Sequence, residues 1–405
     1  MAVPEIPIPG ARGYPMVGLG TFTIFGQRGA GDEVEQAVKT AIDIGYRSID
    51  CAWVYSNEES VGRGIKAKID DGTVKREDLF ITTKLWDTCH RPAIVRESCE
   101  KSLKALGCGY IDLYLMHWPF GFKEGDDLFP KDENGKVLFS DHDFVDTYKA
   151  MEPLVADGLV KALGLSNFNH KQVDRVLQIA KVPVTNMQIE IHPYLSNKKL
   201  IDYCRSKGIT ITAYAPLGNP TRTWAGTDEP VVFDEPKLQA IAKAKGKTVA
   251  QVCLRFLIQR NINVIPKSVT PSRIKENFQI FDFELSEEEM KTIWSLDRNL
   301  RFYGESIKRR EEISNKTPLQ HQQQNTRCKN TKDEYSTRRK RDTRHVNIKH
   351  KRLHINRRDQ WATGADFGRP FVTQVANGVV ILDCVRTTLS LLQLPRGLEE
   401  RTIVV

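Results

Sequence analysis

The chain has 405 residues, 40% of them hydrophobic, with 60 Lys+Arg against 51 Asp+Glu, a length that allows one large domain with an appendage or two ordinary domains. The charge is uneven: residues 301–405 carry 22 Lys+Arg against 11 Asp+Glu, and residues 1–300 carry 38 against 40. This excludes a basic, nucleic-acid-binding reading for the first three-quarters of the chain, whose partner has to be read from a site instead of from an electrostatic footprint.

Residues 5–22 (EIPIPGARGYPMVGLGTF) alternate Pro and Gly with short apolar pieces, which predicts a small hairpin and then a first strand over 17–22. The period then changes. Val34, Ala37, Val38, Ala41 and Ile42 recur at helical spacing behind Asp32 and Glu33, and Gly45 supplies a left-handed stop. The next stretch, GYRSIDCAWVYSNEESVG (45–62), reads as a strand over 46–51 that delivers Asp50 and then Tyr55 into a polar turn, followed by a helix near 58–70. The alternation continues with strand 79–85 and helix 92–106, strand 111–117 and helix 143–157, strand 160–165 and helix 169–180, and strand 185–191 and helix 197–207. Strands at 210–216 and 262–268 complete the series, with helices near 236–245, 248–259 and 271–279. Eight short strands, apolar on both faces as parallel strands under helices must be, predict a closed (β/α)8 TIM barrel, whose usual size is roughly 250 residues plus insertions.

The segment 119–142 is longer and more polar than an ordinary connection and follows His117 directly, so it is read equally as part of a pocket rim or as a solvated insertion. From 304 the pattern stops. Residues 305–360 are rich in Lys, Arg, Gln, Asn and His, the composition of a disordered segment, so the chain divides into a barrel over 1–303 and a basic, mostly disordered tail over 304–405. Within the tail, 371–385 is apolar again but too short for a domain, leaving a hairpin and a docked segment as alternatives. Eight cysteines occur without a paired CxxC spacing, which predicts reduced thiols and no metal site. The N-terminal MAVPEIPIPG has no basic region before an apolar run, and no apolar stretch of roughly 18 residues occurs. No membrane partner and a cytosolic location are therefore expected.

Catalytic residues of a parallel barrel sit at the carboxyl ends of its strands. There the sequence puts Asp50 with Tyr55 beyond it, Lys84 and His117, each polar at the end of an apolar run. A tyrosine phenol donates a proton reluctantly at neutral pH. A lysine beside it stabilises the phenolate, an aspartate holds the lysine charged, and a neutral histidine orients a substrate oxygen. These types suit protonation of an oxygen on which negative charge develops, as in carbonyl reduction. That reaction needs a hydride donor, yet GLGTFTIFG (18–26) lacks the spacing and context of a dinucleotide fingerprint. The run IPKSVTPSRIKEN instead places Lys267, Ser268 and Arg273 at a helix start, suited to a nucleotide carrying a 2′-phosphate. Tyr214 offers a ring for nicotinamide, and Ser166, Asn167 and Gln188 offer hydrogen bonds for its carboxamide.

The stretches GYRSIDCAWVYSNEESVG, ITTKLW, LYLMHWP, GLSNFN, NMQIEIHPY, TAYAPLG and IPKSVTPSRIKENF together resemble the aldo-keto reductases, and among them the aldose and aldehyde reductases. The resemblance covers 5 to about 303 and implies a tetrad of Asp50, Tyr55, Lys84 and His117 with NADPH as cofactor. It further implies that Ser166, Asn167 and Gln188 hold the nicotinamide amide, that Tyr214 stacks on the ring, that Lys267, Ser268 and Arg273 take the 2′-phosphate, and that Glu276 and Asn277 take the adenine. The chain departs from the family at Phe22, where Trp is usual, although Trp86 and Trp118 keep the pocket aromatic. It departs again after RNLRFY, where GESIKRREE does not resemble the family's substrate loop. The expected partner is a small carbonyl compound, the expected state a monomer, and nucleic acid binding would belong to the tail alone. The rival from another class is a barrel that binds NADPH as a sensor with negligible turnover.

Overall fold

The apolar runs pair side by side in the order in which they occur. A computed structural model describes residues 3–22, 30–220 and 229–303, with two short strands between 375 and 380. The expected hairpin is β1 (Glu5–Ile6) against β2 (Tyr14–Pro15), antiparallel. Eight parallel strands follow: β3 (Leu19–Gly20), β4 (Ser48–Asp50), β5 (Phe80–Leu85), β6 (Ile111–Met116), β7 (Val160–Ser166), β8 (Val184–Glu190), β9 (Thr210–Tyr214) and β10 (Asn263–Val264). Sequence order is spatial order throughout. The ring closes where β10 meets β3, through Val17 paired with Val264 and Gly20 with Lys267, and through Gly18 N donating to Val264 O at 2.9 Å. The barrel is the expected α/β fold.

Helices cover the outside: α1 (Ala30–Ile44), α2 (Glu58–Asp70), α3 (Val95–Leu106), α4 (Phe144–Met151), α5 (Pro153–Ala156), α6 (His170–Leu177), α7 (Lys198–Ser206), α8 (Pro236–Lys245), α9 (Val249–Gln259), α10 (Pro271–Phe278) and α11 (Glu287–Trp294). Two differ from the sequence reading. The helix expected over 143–157 is broken into α4 and α5 because Pro153 has no N–H to continue the ladder. Helix α11 went unpredicted, although Ser286 and Glu289 form a capping box, Ser286 Oγ accepting from Glu289 N at 3.2 Å and Ser286 N donating to Glu289 Oε2 at 2.7 Å.

Beyond Ile111, which joins the larger core, successive apolar residues of β6 alternate between two clusters, as a period of two requires. Tyr114 and Met116 join the core under the helices, whereas Leu113 and Leu115 pack with Phe80, Ile8 and Tyr14. Tyr14, carried by the hairpin, stacks on Phe80 with ring centroids 4.2 Å apart. The hairpin thus packs against the amino-terminal end of the strands and leaves the opposite rim for the site. Apart from two short strands, the stretch 304–405, for which disorder is expected, lies outside the described residues. Strands β11 (Val375–Ala376) and β12 (Val379–Val380) pair antiparallel, the hairpin alternative for the apolar stretch. Among the described residues no helix is long and apolar enough to cross a membrane.

Candidate active site

Asp50 is the last residue of β4, Ser166 of β7 and Tyr214 of β9; Lys84 is the penultimate residue of β5, and His117 follows β6 directly. Gln188 stands two residues before the end of β8, and Lys267 lies just beyond β10. One rim therefore gathers them all. Tyr55 arrives differently, on the one-turn helix Trp53–Tyr55 between β4 and α2, which ends at Ser56 in a left-handed conformation with φ 54°. Asn167 (φ 64°) and Ala215 (φ 46°) are left-handed too. Such backbone costs a non-glycine residue about 1–3 kcal/mol, and these three, of the seven non-glycine residues with positive φ among the described residues, directly follow predicted site residues.

Lys84 and Asp50 form a buried ion pair, Lys84 Nζ to Asp50 Oδ1 at 2.5 Å, with side chains 0% and 2% exposed. Lys84 Nζ also donates to Cys51 O at 2.7 Å and to Tyr55 OH at 3.5 Å. The other carboxylate oxygen, Asp50 Oδ2, accepts from Gln188 Nε2 at 2.7 Å. Both acid oxygens thus face donors, as an ionised carboxylate needs. The Tyr55 ring meets the His117 ring edge-on at 6.1 Å. A buried pair of this kind is weak evidence for stability, because desolvation offsets its attraction, and stronger evidence for a functional site.

Burial pushes the Asp50 carboxyl upward, opposed by the Lys84 ammonium and the Gln188 amide. Burial also holds the Tyr55 phenol well above its ordinary value, and the Asp50 charge adds to the effect. This differs from the expectation of a phenol eased toward ionisation by its cation. The physical reason is first the burial of the phenol, which penalises its charged form, and then the nearby Asp50 carboxylate, whose charge adds to the rise. The phenol is therefore a proton holder at neutral pH. Burial, then the charges of Lys84 and His90, keep His117 well below the ordinary histidine range, so its imidazole is neutral.

A second network ties the histidine to the next strands. Asn167 Nδ2 donates to His117 O at 3.1 Å and to Ser166 Oγ at 3.0 Å, and Tyr214 OH donates to Asn167 Oδ1 at 2.8 Å. Gln188 is joined to Asp50, so the three amide-holding candidates face the tetrad from adjacent strands. Above them stands an aromatic wall. Trp86 meets His117 edge-on at 5.2 Å, Trp118 stacks on His117 at 6.5 Å, and Phe22 meets Tyr55 edge-on at 5.2 Å. The long segment after His117 joins this wall: Phe122 bridges to Phe139, and Trp86 Nε1 donates to Leu128 O at 2.9 Å. Of its two readings the pocket rim fits better. Phe120, Phe122, Phe129 and Phe139 went unremarked in the sequence, where only their clustering behind a candidate strand end could have marked them.

The nucleotide candidates form a separate group on the same rim. Gly20 pairs with Asp50 on one side and with Lys267 on the other, so the candidate phosphate loop begins two strands from the acid. Lys267 and Arg273 are exposed, Ser268 Oγ accepts from Thr270 N at 3.1 Å, and α10 opens at Pro271. Glu276 Oε1 accepts from Thr248 Oγ1 at 2.8 Å, and Asn277 is buried. Among the described residues no group of three His, Cys, Asp or Glu is disposed to hold a metal, and six cysteines are free thiols.

The model of the aldo/keto reductase family matches residues 16–298. Aldo-keto reductase family 1 member A1-A of Danio rerio is 50% identical over 290 residues, 71% of this chain and 88% of that protein. The member A1 protein of Homo sapiens is 46% identical over 289 residues, 71% of this chain and 87% of its own. Among solved structures, the aldose reductase of Schistosoma japonicum matches with TM-score 0.69 at 45% identity, over 75% of this chain and 96% of that one. A barrel whose strand ends carry this tetrad, matched along nearly its whole length, belongs to the aldo/keto reductase family.

Proposed function

We propose that the chain is an NADPH-dependent oxidoreductase that reduces aldehydes and ketones, aldoses among them, to alcohols, with Tyr55 as general acid. Family membership implies a nicotinamide cofactor and a small carbonyl substrate. The observation that carries the finer reading is the buried Lys84–Asp50 pair beneath the Tyr55 phenol, with neutral His117 beside it. When bound, the reduced cofactor supplies the hydride. His117 hydrogen-bonds the carbonyl oxygen and orients it toward the phenol. Tyr55 gives its proton to that oxygen as charge builds there, and the alcohol is complete. Donation is driven by the negative charge that hydride transfer builds on the oxygen, because an alkoxide is a strong base. Lys84 stabilises the phenolate left behind, and Asp50 keeps Lys84 charged and fixed.

The residues present suit the cofactor. Tyr214 offers its ring to the nicotinamide, Ser166, Asn167 and Gln188 its amide partners, Glu276 and Asn277 contacts for adenine, and Lys267, Ser268 and Arg273 the 2′-phosphate site. The exposed Lys267 and Arg273 at the start of α10 favour NADPH over NADH. Free thiols suit a reducing cytosol. The test is NADPH oxidation with a panel of aldehydes, aldoses and ketones, alongside a Lys267→Gln, Arg273→Gln double variant. NADPH affinity is expected to fall roughly 10²-fold, with NADH affinity little changed. Equal losses for both cofactors remove the phosphate assignment, and binding without turnover on any carbonyl favours the sensor reading.

A further inference from the structure

Glu190, the last residue of β8, is 0% exposed and belongs to neither group described above. Its carboxylate receives donors from the end of the described barrel residues: Phe302 N donates to Oε1 at 2.7 Å and Tyr303 N to Oε2 at 3.3 Å. His192 Nε2 lies 3.0 Å from Oε1, and the His192 ring stacks on Phe302 at 4.7 Å. Just before this point Arg298 N and Leu300 N both donate to Tyr194 O, at 3.1 and 3.0 Å. A carboxylate taken fully out of water costs several kcal/mol unless donors meet it. Here the donors are the backbone of two successive residues, so the acid fixes the path of the chain.

That path delivers the Tyr303 side chain to the nicotinamide end of the rim. Its ring meets Tyr214 edge-on, centroids 5.5 Å apart at 84°, and its hydroxyl accepts from Asn219 Nδ2 at 2.7 Å. Tyr214 in turn donates to Asn167, which donates to His117 O. We propose that Tyr303 is a positioning residue for the cofactor ring, holding Tyr214 edge-on, with Glu190 as the clamp that brings it there. The inference rests on the reading that Tyr214 faces the nicotinamide. The turn at Phe302 and Tyr303 thereby becomes part of the reductase site, although the sequence that follows it does not resemble the family's loop.

The experiment uses the full chain and two ligands, NADPH and 2′,5′-ADP, which carries the adenine and 2′-phosphate without the nicotinamide. Tyr303→Ala should weaken NADPH roughly two- to tenfold, the worth of an edge-to-face pair, and leave 2′,5′-ADP unchanged. Tyr303→Phe, which keeps the ring edge, should recover most of the loss. In a Tyr214→Ala background, Tyr303→Ala should add nothing further, because it acts through Tyr214. Should the alanine variant lose its fold, Tyr303→Leu fills the space without an aromatic edge and reads the same way. Equal weakening of both ligands, or an undiminished effect in the Tyr214→Ala background, overturns the proposal. If Tyr214→Ala itself binds NADPH as the parent does, the nicotinamide assignment fails and takes this inference with it. If Tyr214→Ala weakens NADPH and Tyr303→Ala does not, the inference fails alone.

Discussion

Lys84 shows most plainly what a residue's type announces and what only its neighbours decide. A lysine ending an apolar run, with Asp, Tyr and His ending or following others, was readable as a set. The partition of its charge was not. Asp50 takes the ammonium at 2.5 Å while the phenol stands 3.5 Å off, and burial, with the Asp50 charge added to it, holds that phenol protonated. Gln188 was read as a carboxamide partner, yet its amide also steadies Asp50, a contact spanning 138 residues of sequence that no local pattern encodes. The same reasoning gives a pH prediction for His117. Its pKa is depressed, so protonation comes only below that lowered value and the imidazole stays neutral through mildly acidic pH. The rate of carbonyl reduction should show no histidine inflection between about pH 6 and 8, where an ordinary histidine titrates. An inflection near the ordinary histidine value that His117→Gln abolishes would contradict the assignment.

Elements were legible where their signals are local. The 3.6-residue spacing in α1, the left-handed glycine after it and the Pro start of α10 all act within a few residues, and those helices form where the spacing puts them. Breaks were harder: Pro153 splits one expected helix, and α11 was missed although its capping box stands in the sequence. The seam between β3 and β10 was beyond any local pattern, because it pairs residues near opposite ends of the barrel sequence. Gly20 is the critical position there. A Cβ added to it would lie 2.6 Å from Ile265 O, a backbone atom that cannot rotate aside. Gly20→Ala should therefore pry the seam, costing roughly 1–3 kcal/mol of stability and shifting Lys267, with weaker NADPH binding as the second sign. Thermal unfolding and a cofactor titration check this together, and a variant matching the parent in both would show that the seam tolerates the methyl group.

At the scale of the whole molecule, eight β/α units in sequence left few folds open, which is why the barrel was legible from alternation and count alone. The path by which Glu190 and Tyr303 return the chain to the rim was not, since it depends on packing across more than a hundred residues. The barrel also separates two tasks in space. Nucleotide candidates gather at the end of β10 and on α10, whereas Tyr55, the proposed proton donor, stands on the turn after β4. Removing one oxygen from the donor should then silence the chemistry and leave binding alone, because the phenol is needed chiefly as charge develops in the transition state. The decisive measurement is kcat for an aldehyde beside the dissociation constant for NADPH, in the parent and in Tyr55→Phe. The account predicts a fall in kcat of roughly 10²- to 10⁴-fold with NADPH affinity nearly unchanged, and a Tyr55→Phe enzyme that turns over aldehyde at the parent rate while binding NADPH normally would contradict it.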